Sequence, residues 1–214
     1  GGLTWTLDTD TGLLTLSGEG DIFENSVREL ITDVLTPYKW NIENILIQEN
    51  VKNMYWPENY FNTTMLPNLQ IVEHKIPNGF SWELNLNTST LTISGKGECP
   101  DLNLSSYSYS YMYRYPTIKI NDGITSLGDN YLSPNQLIIG KDCQNIGQGE
   151  AEIAFEVDPQ NSTYASYGGC LYTKNYTKLI CTYQQSKAPQ FHPNLSIIGN
   201  EAFRMVDSQT RFQI

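Results

Sequence analysis

Apolar and polar residues alternate in two short runs near the start of the chain, Trp5-Thr6-Leu7-Asp8 and Leu14-Thr15-Leu16-Ser17. A period of two puts Trp5 and Leu7, and likewise Leu14 and Leu16, on one face of a half-buried strand. The cluster Asp8-Thr9-Asp10-Thr11-Gly12 between the runs is rich in turn formers, so the pair predicts a β-hairpin. Gly18 and Gly20 then predict a break or bulge at the end of the second strand. The same pattern returns without a gap over residues 80–99, where Trp82, Leu84, Leu91 and Ile93 take the places of Trp5, Leu7, Leu14 and Leu16. In this copy residues 85–89 form the turn. The shared position of Trp5 and Trp82 predicts that both are core residues, whereas Trp40 and Trp56 occur in the first half only.

Helical spacing occurs in one place. Within residues 26–35, Val27, Leu30, Ile31, Val34 and Leu35 fall on one helical face. Ser26 is the expected N-cap, Glu29 completes a capping box, and Pro37 ends the helix.

A second repeated phrase lies in both halves. Ile45-Leu46-Ile47-Gln48-Glu49-Asn50-Val51 matches Ile118-Lys119-Ile120-Asn121-Asp122-Gly123-Ile124, each reading as a short strand, a tight turn and a second extended piece. Leu127-Gly128, Ile146-Gly147-Gln148-Gly149-Glu150-Ala151 and Ile198-Gly199-Asn200-Glu201-Ala202-Phe203 vary one corner phrase. Spacing of roughly twenty residues with a strand and a corner in each is that of a stacked repeat. The stack is interrupted by residues 155–185, which read as an inserted β-hairpin with its turn near Lys174-Asn175-Tyr176. The expected organisation is an N-terminal module over residues 1–78 and a second, longer one over residues 79–214, with the boundary at Pro77-Asn78-Gly79.

Composition narrows the partners. The chain is 39% hydrophobic, which is enough for a real core, and its net charge is −10. That charge repels a phosphate backbone, and no Lys/Arg cluster offsets it, so nucleic-acid binding is not expected. No apolar run reaches the length of a membrane span, so no membrane insertion is expected. With 17% charged residues, the polar surface is built from Asn, Thr, Ser and Tyr, a balance common in secreted and surface-exposed proteins. The Gly-Gly start, with no signal-peptide pattern, leads to the expectation of a leader on the precursor.

Taken together, these phrases resemble the BspA-type leucine-rich-repeat proteins of bacterial cell surfaces. The corner Ser196-Ile197-Ile198-Gly199-Asn200-Glu201-Ala202-Phe203 is similar to that family's repeat corner. The stretch running from Phe155-Glu156-Val157-Asp158 through Asn161, Tyr164 and Ser166 to Gly169-Cys170-Leu171-Tyr172, with Leu179-Ile180 after it, is similar to a longer family segment. The resemblance implies a mainly β fold: two hairpin modules, each followed by a short leucine-rich-repeat, solenoid-like block with a few short helical corners. It also implies a secreted or surface location and the binding of proteins or other macromolecules, and does not imply a catalytic mechanism; the expected partners are extracellular proteins or glycans, with no cofactor.

Candidate chemistry is sparse. Neither His74 nor His192 has metal-ligand spacing or a neighbouring nucleophile motif, and no GxSxG, P-loop or HExxH is present. Asp8-Thr9-Asp10-Thr11-Gly12 is a partial calcium-loop match, but its copy at residues 85–89 holds no carboxylate, so a hairpin turn is the better reading. Cys99, Cys143, Cys170 and Cys181 have no zinc spacing. For Cys170 and Cys181 a cross-strand disulfide and two buried thiols are both open, because sequence does not fix strand register. The most conspicuous aromatic feature is Tyr107, Tyr109, Tyr111, Tyr113 and Tyr115, which share one face if the segment is a strand. They are the candidate ligand-binding residues, whether for a protein or, by stacking, for sugar rings. The alternative is that the rings seal a hairpin onto the stack.

Overall fold

The computed structural model describes residues 2–21, 29–52, 63–100, 102, 117–132, 134–149, 153–182, 190–200 and 202–203. The chain divides into two compact units, Gly1–Ile93 with Leu102–Tyr107, and Ser94–Asp101 with Ser108–Ile214.

In the first unit β1 (Thr4–Asp8) and β2 (Leu13–Ser17) form an antiparallel hairpin. Asp8 shapes its turn by accepting the N–H groups of Asp10 and Thr11 at 2.9 and 3.2 Å, a local competition with the strand ladder that favours Asp and Asn at turns. Four strands follow: β3 (Gly20–Asp21), β4 (Asn44–Ile47), β5 (Val51–Lys52) and β6 (Ile71–Ile76). β4 lies between β2 and β6 and is parallel to both, while β3 and β5 make a small parallel sheet of their own. A three-residue 3-10 turn, Pro77–Gly79, reverses the chain into β7 (Phe80–Asn85), which pairs antiparallel with β6 and is flanked on its other side by β8 (Thr90–Ser94). Asn85 repeats the role of Asp8, accepting from Asn87 and Thr88 at 3.0 and 3.1 Å. The alternation read from sequence becomes the core: Leu14, Leu16, Ile45, Ile47, Val72, Trp82, Leu84, Leu91 and Ile93 are each at most 3% exposed.

Trp5 departs from its copy. It is 38% exposed where Trp82 is 1% exposed. β7 has a strand on each side, whereas β1 has only β2 beside it among the described residues, so the first indole lacks the flank that encloses the second. Trp40 is 61% exposed, with the Lys39 ammonium 5.7 Å from its ring centroid. Trp56 lies outside the described residues.

The second unit contains β9 (Gly97–Glu98), β10 (Thr117–Ile120), β11 (Ile124–Ser126), β12 (Tyr131–Leu132), β13 (Gln136–Ile139), β14 (Gln148–Gly149) and β15 (Ala154–Val157). β10, β13 and β15 run parallel and in register, while β9 with β11 and β12 with β14 make two further parallel pairs. Then come β16 (Tyr164–Tyr167), β17 (Cys170–Thr173), β18 (Lys178–Cys181) and β19 (Ile197–Ile198), a mixed sheet in which β16–β17–β18 is antiparallel and β19 joins β18 in parallel. Cys170, Tyr172, Leu179 and Ala202 form its core.

The expected architecture, hairpin modules leading into solenoid-like repeat blocks with short helical corners, is corrected by this structure. The chain is mainly β in several mixed sheets, and among the described residues no helix reaches seven residues. The predicted helix over residues 26–35 is described only from Glu29 onward, and there it is a single five-residue π-helical turn, Leu30–Val34, closed by Leu35 N–H donating to the Leu30 carbonyl at 2.8 Å. Ser26, the expected N-cap, lies outside the described residues, and Val34 is 42% exposed. At the Leu127-Gly128 and Ile146-Gly147 corners the glycines sit at φ +58° and +69°, a left-handed conformation that turns the chain and cannot propagate a helix.

Cys170 and Cys181 are not directly opposed. The register places Leu171 against Cys181 and Tyr172 against Leu179, with an irregularity between the two pairs. All four cysteines are thiols in this structure.

Candidate binding face

Side chains alternate across the parallel strands of the second unit. Ile118, Ile120, Leu137, Ile139 and Phe155 point into the core, at most 6% exposed. The residues between them face outward, and the register puts Lys119 beside Ile138 and Ile138 beside Glu156. A row of ammonium, aliphatic chain and carboxylate therefore crosses three strands. Lys119 and Glu156 are exposed and Ile138 half-buried. Gln136, one pleat back on β13, donates to Glu156 Oε2 at 3.1 Å and orients it.

This row floors a groove of about 510 Å³, closed at the carboxyl ends of the strands by Asn121, Asp122, Gly140, Asp158 and Pro159. The corners there are stitched to one another. Asp122 accepts the Lys141 N–H at 3.0 Å and its ammonium at 2.7 Å, and Asp142 accepts the Gly123 N–H at 2.9 Å. The hydrogen bonds from Lys141, side chain first and backbone second, hold the Asp122 carboxyl below its usual range. Asn161, wholly buried, ties the next corner: its amide nitrogen donates to the Gly140 and Cys143 carbonyls at 2.9 and 2.8 Å, and its oxygen accepts the N–H groups of Thr163 and Tyr164, both at 2.8 Å. Both ends of the amide are satisfied, which makes the groove's end wall rigid. Of the lining carboxylates, Asp122 is paired with Lys141, leaving Glu156 and Asp158 against Lys119. The groove is acidic on balance, suiting a cationic group lying along an aliphatic floor.

Of the residues singled out from sequence, the two histidines lie elsewhere. Tyr107, Tyr109, Tyr111, Tyr113 and Tyr115 fall outside the described residues. His74 is buried, and its Nε2 donates to the Val51 carbonyl at 3.0 Å. His192 stacks on Tyr176 with centroids 4.0 Å apart, and its Nδ1 accepts the Asn194 N–H at 3.1 Å. Among the described residues no group of three or more His, Cys, Asp or Glu is placed to hold a metal ion. None of their helices is long and apolar enough to cross a membrane. Sequence reading missed the groove because Lys119, Ile138 and Glu156 are unremarkable singly. The signal was the phrase Ile118-Lys119-Ile120-Asn121-Asp122 and its echoes at residues 137–142 and 155–158, which converge only once the strands are parallel and in register.

No protein-family model matches the chain, and no curated protein matches it. Among solved structures it is similar to a leucine-rich repeat protein from Eubacterium ventriosum ATCC 27560, at 15% identity over 62% of this chain and 57% of that one, with a TM-score of 0.29. The chain thus spans a little over half the length of that protein. The likeness is distant and partial.

Proposed function

We propose that this chain is a non-enzymatic binding module of a secreted or cell-surface protein. It recognises a protein partner by laying a basic side chain into the groove over Ile138, between Lys119 and Glu156. The observation that carries this reading is the in-register row of those three side chains over a groove of about 510 Å³ with a rigid acidic end. The net charge of −10 supports it, since such a surface steers a basic partner towards encounter and does so less as salt rises.

The test is binding of the purified chain to immobilised extracellular proteins and glycans at low and high salt. A protein partner should be captured, more weakly at high salt, and lost with Glu156→Lys or Ile138→Lys. Capture that survives both substitutions sinks the groove as the site. A glycan partner lost only with Tyr109→Ala and Tyr111→Ala moves recognition to the tyrosines.

A further inference from the structure

We propose that Asn87, Asn175 and Asn194 are acceptor sites for N-linked glycans and that Asn161 is not. All four begin an Asn-x-Ser/Thr triplet without proline at the middle position: Asn87-Thr88-Ser89, Asn161-Ser162-Thr163, Asn175-Tyr176-Thr177 and Asn194-Leu195-Ser196. Asn62 and Asn103, which begin the same triplet, lie outside the described residues.

The fold separates the four. Asn87, Asn175 and Asn194 are exposed and lie at turns, after β7, between β17 and β18, and before β19. Modification replaces one hydrogen on Nδ2 and leaves Oδ1 as an acceptor. At Asn175 that distinction matters. Its Oδ1 is occupied, accepting the hydroxyls of Thr173 and Thr177 at 2.9 and 2.8 Å and the Thr177 N–H at 3.3 Å. Its Nδ2 makes no hydrogen bond among the described residues, so a sugar on that atom keeps the turn intact. Asn161 is the reverse case: it is 0% exposed and both Nδ2 hydrogens are spent on the Gly140 and Cys143 carbonyls. A glycan there removes a buried hydrogen bond and has no volume to occupy, so a chain carrying one does not reach this fold.

The reaction needs a polyprenyl-diphosphate-linked oligosaccharide and its transferase. Nδ2 forms a bond to C1 of the donor sugar, the C1–O bond breaks, the diphosphate leaves with the electron pair, and one amide proton passes to a base. The proposal rests on the secreted reading given above and further requires an export route that carries this transferase, but it does not rest on the groove. Within the second unit, Asn175 and Asn194 lie outside β10, β13 and β15.

The test is secretion of the full chain from a eukaryotic host, release of glycans by peptide-N-glycosidase in heavy-oxygen water, and peptide mass spectrometry. The expected result is conversion of Asn87, Asn175 and Asn194 to labelled Asp, with Asn161 unlabelled in the folded, secreted fraction. Any of the three found unoccupied removes that site, and labelled Asp at position 161 in folded protein overturns the proposal's structural basis. Partner binding is scored separately on the same material, so loss of the groove reading leaves the map standing. As a folding control, Asn87→Gln with Asn194→Gln should melt within about 1 °C of the unsubstituted chain made without glycosylation, because neither side chain has a partner to lose among the described residues.

Discussion

The imidazole of His74 stands edge-on to the indole of Trp82, with ring centroids 5.4 Å apart and planes at 80°, because the β6–β7 register sets the two residues directly opposite each other. Burial pushes the His74 pKa below 6.5, outweighing the Val51 carbonyl, which favours the charged ring. The unfolded chain therefore takes up this proton at a higher pH than the folded chain. Stability from the neutral ring is complete above about pH 7 and is lost as pH falls through the unfolded value and below. Thermal melts should show a falling midpoint between about pH 6.5 and 5, and His74→Phe should flatten that slope. An unchanged slope in the variant would assign the pH dependence to other groups.

The duplicated hairpin offers a paired measurement. Trp82→Ala removes a ring that is 1% exposed and flanked on both sides, and it should cost about 3–5 kcal/mol. Trp5→Ala removes a ring that is 38% exposed and should cost roughly 1 kcal/mol. Urea denaturation of both variants gives the comparison. Equal losses would mean that the first indole is enclosed in solution.

Asn161→Ala removes at once two hydrogen bonds to buried carbonyls and two from backbone N–H groups. A loss of about 3 kcal/mol is expected by equilibrium denaturation. Asn161→Asp should lose nearly as much, because a carboxylate oxygen facing the Gly140 and Cys143 carbonyls replaces attraction by repulsion. Retention of stability in both variants would contradict the central place given to this amide.

Burial raises the Cys99 thiol to about 12, with the neighbouring Cys143 adding to the effect. It also raises Cys143 and Cys181, each to about 11. Iodoacetamide reacts with thiolates, so at about pH 8 the folded chain should label at Cys99 and Cys143 at least about a hundredfold more slowly than the chain in urea. Equal rates in the two states would show that these thiols are open to solvent.

The β character of the chain was legible because alternation over four or five residues needs no knowledge of neighbours. The turns at Asp8 and Asn85 were legible for the same local reason, and their shared geometry explains why one copy manages without a carboxylate. The helix expected over residues 26–35 is described only from Glu29, and from there the chain is helical. Its apolar spacing is real, but the described part closes a wider five-residue turn at Leu35. Three features depended on which strands lie side by side, and no single segment encodes that: the unequal fates of Trp5 and Trp82, the offset of Cys170 from Cys181, and the convergence of Lys119, Ile138 and Glu156.

That last convergence gives the proposed binding face a direction. A positive end at Lys119 and a negative end at Glu156 are two strand spacings apart, about 10 Å along the hydrogen-bonding axis. A ligand carrying charge at both of its own ends can lie along that axis in one sense and is rejected in the other. Exchanging the two residues, Lys119→Glu with Glu156→Lys, preserves composition and net charge while inverting the sense, so such a protein would select the reversed arrangement of the same chemical groups.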